Sequence, residues 1–260
     1  MIHIKIPLIL GFIAATIFSG CHTAPAPVPT TAPAPVPVTQ PALEVQWQRQ
    51  SVEYDAICIQ TYRAAWQAVK AQAAVLQEDW AVVLDVDETV LDNSRYQEIL
   101  YEQKRQFDYA SWDEWVQRRE CPPVPGAKAF LDSVRTLGRF AHIVYITNRK
   151  AHLDEPTREN LRQTGLWRDD DVLLCQRDGQ DSKEARRQEV LNGTGRCEGR
   201  GKRLIIALVG DQLLDMEPYP EGISISPENF KAHYRHSPYW NTRYFMLPNP
   251  MYGYWVDGYK

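Results

Sequence analysis

Residues 80–84 read Trp-Ala-Val-Val-Leu, and this unbroken apolar run ends in Asp85 and Asp87 with one residue between them. A strand with no polar alternation needs cover on both faces, as a central strand of a parallel sheet has. Side chains two apart on a strand share a face. Where the run frays into a loop, both aspartates can therefore turn toward one point. Two carboxylates that close repel each other unless positive charge lies between them. A hard divalent cation such as Mg²⁺, which takes oxygen ligands, meets that need. The sequence thus predicts a metal-assisted site at the carboxyl end of a buried strand, the edge where open α/β sheets hold their ligands.

The rest of the chain supplies the sheet. Trp80–Val86, Phe140–Ile146, Asp171–Cys175 and Arg203–Val209 read as strands, with a further short one at Gly222–Ile225. Between them lie helical stretches: one or two helices in Leu43–Gln77, then Ala127–Leu137, Pro156–Thr164 and Ser182–Leu191. Strands alternating with helices imply an α/β fold, a Rossmann-like, mostly parallel sheet with right-handed crossovers. Asp92–Glu120 is polar, aromatic and too long for a simple connection. It reads as a small, mainly helical cap at roughly 92–124, with Asp108 or Ser111 capping one helix.

A net charge of −4 argues against a nucleic-acid polymer as partner. Ile6–Gly20 is almost wholly apolar, too short for a comfortable membrane span but right for a signal peptide at 1–20. Residues 23–41 alternate Ala, Pro, Val and Thr, a spacer favouring extended polyproline II. Residues 42–260 are then left as the folded domain. Cys58, Cys121, Cys175 and Cys197 allow three pairings, and buried free thiols are an equal alternative.

Asp85-Val-Asp-Glu-Thr-Val-Leu-Asp-Asn-Ser94 after the first strand, with Gly210-Asp-x-x-x-Asp215 after a later one, resembles the haloacid dehalogenase (HAD) superfamily. More narrowly, it resembles the class C bacterial lipoprotein acid phosphatases, a group marked by four motif aspartates. Pro248-Asn-Pro-Met-Tyr-Gly253 and Phe18-Ser-Gly-Cys21 are similar to that family as well. Gln212 stands where the family has Asn, and Met216 where it has Phe.

The resemblance implies a Mg²⁺-dependent acid phosphomonoesterase. Asp85 would be the nucleophile and Asp87 the acid and base. The metal would lie among Asp85, Asp87 (through its backbone carbonyl), Asp211 and Asp215. Thr147, Asn148 and Lys183 would hold the phosphate, with Arg149 or Lys202 as substitutes for Lys183. Trp112 and Tyr252 would clamp a flat leaving group such as a nucleobase. Cys21 would carry a lipid anchor to a bacterial envelope membrane, outer-membrane sorting being the expectation. An ordinary signal peptide cut near Ala24 is the alternative. The expected partners are a small phosphomonoester and the membrane, and a homodimer is the one assembly considered.

Plainer readings stand beside these. Asp215 could be a helix cap, Lys183 part of a solvated helix face, and the aromatics ordinary packing between cap and core. Asn93 would either orient the nucleophile loop or cap the next helix. Glu88 is read as a supporting or exposed residue, and His233 with His236 as a surface pair. The same scaffold would also serve a phosphotransferase, or a surface lipoprotein that only binds nucleotides.

Overall fold

The computed structural model describes residues 41–259. The expected signal peptide at 1–20, the lipidated Cys21 and all but the last residue of the 21–41 linker lie outside them.

Two helices open the domain, α1 (Leu43–Gln50) and α2 (Val52–Ala73), separated by Ser51, whose hydroxyl accepts from the Tyr54 amide and starts the second. Then come β1 (Trp80–Leu84), α3 (Ser94–Glu102), α4 (Tyr109–Arg118), α5 (Ala127–Arg135) and β2 (Ala141–Lys150). After them run α6 (Asp154–Gln163), β3 (Val172–Gln176), α7 (Lys183–Asn192), β4 (Leu204–Gly210), α8 (Pro227–Tyr234) and β5 (Tyr244–Met246). The five strands form one all-parallel sheet in the order β3-β2-β1-β4-β5.

β1 is central, and its alternate side chains fill two different cores. Trp80, Val82 and Leu84 pack with Tyr62, Ala65 and Val69 of α2 and Phe130 and Leu131 of α5. Ala81 and Val83 pack with Val190 of α7 on the other face. Burial on both faces is the reason for the continuous apolar run. The chain leaves β1 toward β2 on one side and reaches β4 on the other. The carboxyl end of β1 is therefore the switch point where a crevice opens.

Two expectations change. Gly222–Ile225 forms no strand; the fifth strand is Tyr244–Met246, paired with Leu208–Gly210. Residues 222–225 carry one glycine and one serine, whereas Tyr244 and Phe245 bring buried aromatic surface that a pleated edge can pack. β2 also runs past the expected end at Ile146 to Lys150. Its register slips, with Thr147 paired to Cys175 but Lys150 to Gln176, so Asn148 and Arg149 bulge from the ladder. Bulges of this kind re-aim side chains beside active sites. The cap region holds α3 and α4, and Asp108 caps α4 through the Ser111 amide at 2.9 Å. All four cysteines of the described residues are buried free thiols.

Candidate active site

The site is assembled from the carboxyl ends of β1, β2 and β4 and the first turn of α7. Asp85 leaves β1 with its amide bonded to the Val209 carbonyl at 3.0 Å. A tight loop follows, in which the Val90 and Leu91 amides donate to the Val86 carbonyl, at 3.0 and 2.9 Å. Glu88 adopts φ +53° there, a left-handed conformation costing a non-glycine residue about 1 kcal/mol or more. Tyr62 of α2 fastens the loop from below, its hydroxyl donating to the Thr89 carbonyl at 2.5 Å.

Carboxylate oxygens of Asp85, Asp211 and Asp215 come within 4.8 Å of one another. Lys183 Nζ lies 2.6 Å from Asp85 and 2.5 Å from Asp215. Burial would lower its ammonium, but Asp215 and Asp85 outweigh that and hold it charged. Burial, and the carboxylates of Asp215, Asp211 and Asp87 against the single lysine, raise Asp85 well above the usual carboxylate range. Burial and Asp215 push Asp211 up to about 7. Three acids sharing one lysine lack positive charge, and their donor atoms are all hard oxygens. The residues present therefore fit a divalent cation.

Asp211 is fixed by two amides, Gln212 Nε2 at 2.7 Å and Asn249 Nδ2 at 2.8 Å. Asp215 also caps its own turn, accepting from the Gln212 amide at 2.8 Å. One Asp215 oxygen thus serves the turn while the other faces Lys183. Gly210 is required here, since a Cβ would collide with the Asp215 side chain.

The Asp87 carboxylate is not in this cluster. It turns to Arg149, at 2.8 Å from Nη2 and 3.0 Å from Nε, and to Asn93 Nδ2 at 2.9 Å. Arg149 stands at the β2 bulge and is engaged with Asp87, while Lys183 holds Asp85 and Asp215. Burial works against the Arg149 guanidinium, but Asp87 prevails and raises it. Asn93 does not cap α3 with its side chain. Its Oδ1 accepts from Trp115 Nε1 at 2.9 Å and Cys121 Sγ at 3.1 Å, so the cap helix α4 is tied to the residue that steadies Asp87. Glu88 is fully buried beside it and accepts the Asn93 amide at 2.7 Å. His233 lies 3.8 Å from Glu217 and away from the site, as a surface pair would.

One face of α7 carries Lys183, Arg186 and Arg187, all buried. Arg186 Nη1 donates to the carbonyls of Thr147, at 2.5 Å, and Leu174, at 3.0 Å, while Nη2 holds Asn148 Oδ1 at 2.8 Å. Arg187 Nη1 donates to the carbonyls of Leu214 and Asp215, at 3.0 and 3.2 Å. One helix thus ties together β2, β3 and the turn that follows β4. Neither arginine, nor Asn249, was singled out by sequence reasoning. The i, i+3, i+4 spacing of three cations was the available signal for the arginines. Replacing Arg186 with Met removes its buried bonds to two strand carbonyls and to Asn148, and should cost about 2–4 kcal/mol in denaturant unfolding. An unchanged unfolding midpoint would reject this role.

Above this floor lies a cavity of about 800 Å³. Trp112 from the cap and Tyr252 from the C-terminal segment both line it, as does Asn148. Thr147 is fully buried, and its Oγ1 accepts from the Arg149 amide at 3.1 Å. Gly253 adopts φ +135°, and a Cβ there would strike Gln212, which in turn accepts from the Tyr254 amide at 3.1 Å. The C-terminal segment is thereby seated on the residue next to Asp211.

The model of the HAD superfamily, subfamily IIIB (acid phosphatase), matches residues 16–255. The chain belongs to this family. Its fold is that of the class C acid phosphatase from Bacillus anthracis, at 28% identity and a TM-score of 0.70 over 84% of this chain and 88% of the other. A second structure of the Bacillus enzyme, with tungstate bound, matches at 28% identity and a TM-score of 0.69, over 83% of this chain and 86% of that one. Two soybean (Glycine max) proteins are similar as well. The stem 31 kDa glycoprotein is 27% identical over 65% of this chain and 58% of its own length, and the stem 28 kDa glycoprotein 25% identical over 74% and 69%. The chain therefore spans little more than half of the first of these relatives. Members of the HAD acid phosphatase family are phosphoric monoester hydrolases, and the parallel α/β sheet with its acidic crevice is the scaffold expected of one.

Proposed function

We propose that this family member is a Mg²⁺-dependent acid phosphomonoesterase working through a phosphorylated Asp85, with nucleoside 5′-monophosphates and other flat phosphate esters as substrates. The convergence of Asp85, Asp211 and Asp215 around Lys183, at the floor of a cavity wide enough for a nucleotide, carries this reading. The Bacillus relative solved with tungstate, an oxyanion like phosphate, supports it.

In the first step an Asp85 carboxylate oxygen attacks phosphorus and the bond to the leaving oxygen breaks. Asp87 gives that oxygen its proton. In the second step Asp87 takes a proton from water, the water oxygen attacks phosphorus, and the bond to Asp85 breaks, releasing inorganic phosphate. Arg149 and Asn93 keep the Asp87 carboxylate in one orientation through both steps. Lys183 favours the ionised form of Asp85, against burial and the neighbouring acids, and draws in the anionic phosphate. Thr147 and Asn148, fastened by Arg186, would meet the phosphate oxygens. Mg²⁺ held by Asp85, Asp211 and Asp215 would supply the charge that offsets repulsion between nucleophile and phosphate. Trp112 and Tyr252 would stack the leaving group, an effect of about 1–3 kcal/mol per base. The apolar stretch 6–20 followed by Cys21 supports a lipid-anchored enzyme of the bacterial envelope.

Phosphate release from p-nitrophenyl phosphate and a panel of nucleoside 5′-monophosphates at mildly acidic pH tests this. EDTA should bring turnover to background and excess Mg²⁺ restore it. Turnover that persists in EDTA rejects the metal requirement. Nucleotides cleaved no better than glycerol phosphate reject the stacking preference.

A further inference from the structure

The cavity floor commits its cations to its own carboxylates: Lys183 to Asp85 and Asp215, Arg149 to Asp87. Lys150, the third cation of the lining, is different. It is the last residue of β2, placed opposite Gln176 by the register slip that ejects Asn148 and Arg149. Its Nζ donates to Gln176 Oε1 at 2.7 Å and lies 5.6 Å from the centre of the Tyr109 ring. Both partners are neutral, and among the described residues no carboxylate oxygen lies within ion-pairing distance. An ammonium has three donors, so two remain after Gln176 is served. Its charge stands on the wall of a cavity, where a partner is attracted more strongly than in open water.

We propose that Lys150, oriented by Gln176 and Tyr109, is a second anion subsite of this cavity, taking a phosphate or carboxylate carried on the substrate's leaving group. The inference rests on the phosphatase reading of the floor and adds a substrate class: phosphomonoesters whose leaving group carries a second anionic group. The scissile phosphate is held at the floor beside Lys183. The leaving group then lies along the cap wall formed by Phe107, Tyr109 and Trp112, and its far charge meets Lys150. A singly charged ester gains nothing from this corner.

Calorimetry in Mg²⁺ with three non-hydrolysable probes tests the subsite without turnover. Benzylphosphonate is the parent, 4-carboxybenzylphosphonate the carboxylate arm, and xylylene-1,4-bisphosphonate the phosphate arm. The wild type should bind at least one charged probe about fivefold more tightly than the parent at low salt, the size of one partly desolvated ion pair. Lys150→Met should abolish that preference, and Lys150→Arg should keep it. A preference confined to one arm assigns the subsite to that anion. The same charged-to-parent ratio in wild type and Lys150→Met overturns the proposal. Turnover of p-nitrophenyl phosphate by the wild type is read separately. Its absence would reject the phosphatase reading, while the phosphonate ratios would still decide the subsite.

Discussion

Asp85→Asn should abolish phosphate release from p-nitrophenyl phosphate in excess Mg²⁺, by roughly four orders of magnitude or more, the scale on which loss of a nucleophile acts. The amide is nearly the same size, so binding space is kept and only the attacking oxygen is lost. The variant should also fold as well as the wild type. Without metal, Asp85 is a buried carboxyl facing Asp215, Asp211 and Asp87, and Lys183 offsets them only in part. Removing one charge from that group relieves repulsion. The metal-free melting temperature should therefore stay level or rise. Activity within tenfold of wild type would show that another group attacks phosphorus. A large fall in melting temperature would trace the loss to unfolding rather than chemistry.

Lys183→Met is the counterpart, and its effects run the other way on stability. The lysine is the cation shared by Asp85 and Asp215, at 2.6 and 2.5 Å. Its removal leaves buried carboxylates uncompensated, at a cost of about 3 kcal/mol or more. In a domain of this size that is a fall of roughly 6–12 °C in melting temperature. Turnover should drop by about two to three orders of magnitude, as when a preorganised charge facing the reaction is lost. Added Mg²⁺ should stabilise the variant more than the wild type, because the ion then supplies the missing charge. Equal melting curves for the two proteins without metal would mean that Lys183 does not neutralise the cluster.

How much of this was legible beforehand depended on range. The central strand could be read because a run such as Ala-Val-Val-Leu, ending in two aspartates, has few other uses. Asp85 could be named because it closes an apolar strand, and Asp211 and Asp215 because their motif resembles that of a known family; β1 and β4 turned out to be neighbours. The role of Arg149 could not be read. It depends on a register slip between β2 and β3, and pairing register is a property of two strands together. β5 was missed because a short edge strand is specified by what it packs on, not by its own pattern. Asn249 stands 38 residues from the Asp211 that it holds, with no periodicity linking the two.

What the chain determined by itself is local: where the four long buried strands lie, which carboxylates stand at their ends, and which helix face is cationic. These follow from side-chain period, burial pattern and backbone preference within a few residues. What only the tertiary structure decided is allegiance. Asp87 turned out to face Arg149 and Asn93 rather than the other acids, Arg186 to tie two strands to α7, and Lys150 to bond the neutral Gln176. The physical reason is that electrostatic pairing depends on distance in space and on exclusion of water. Neither exists until the sheet is assembled and the cap covers it.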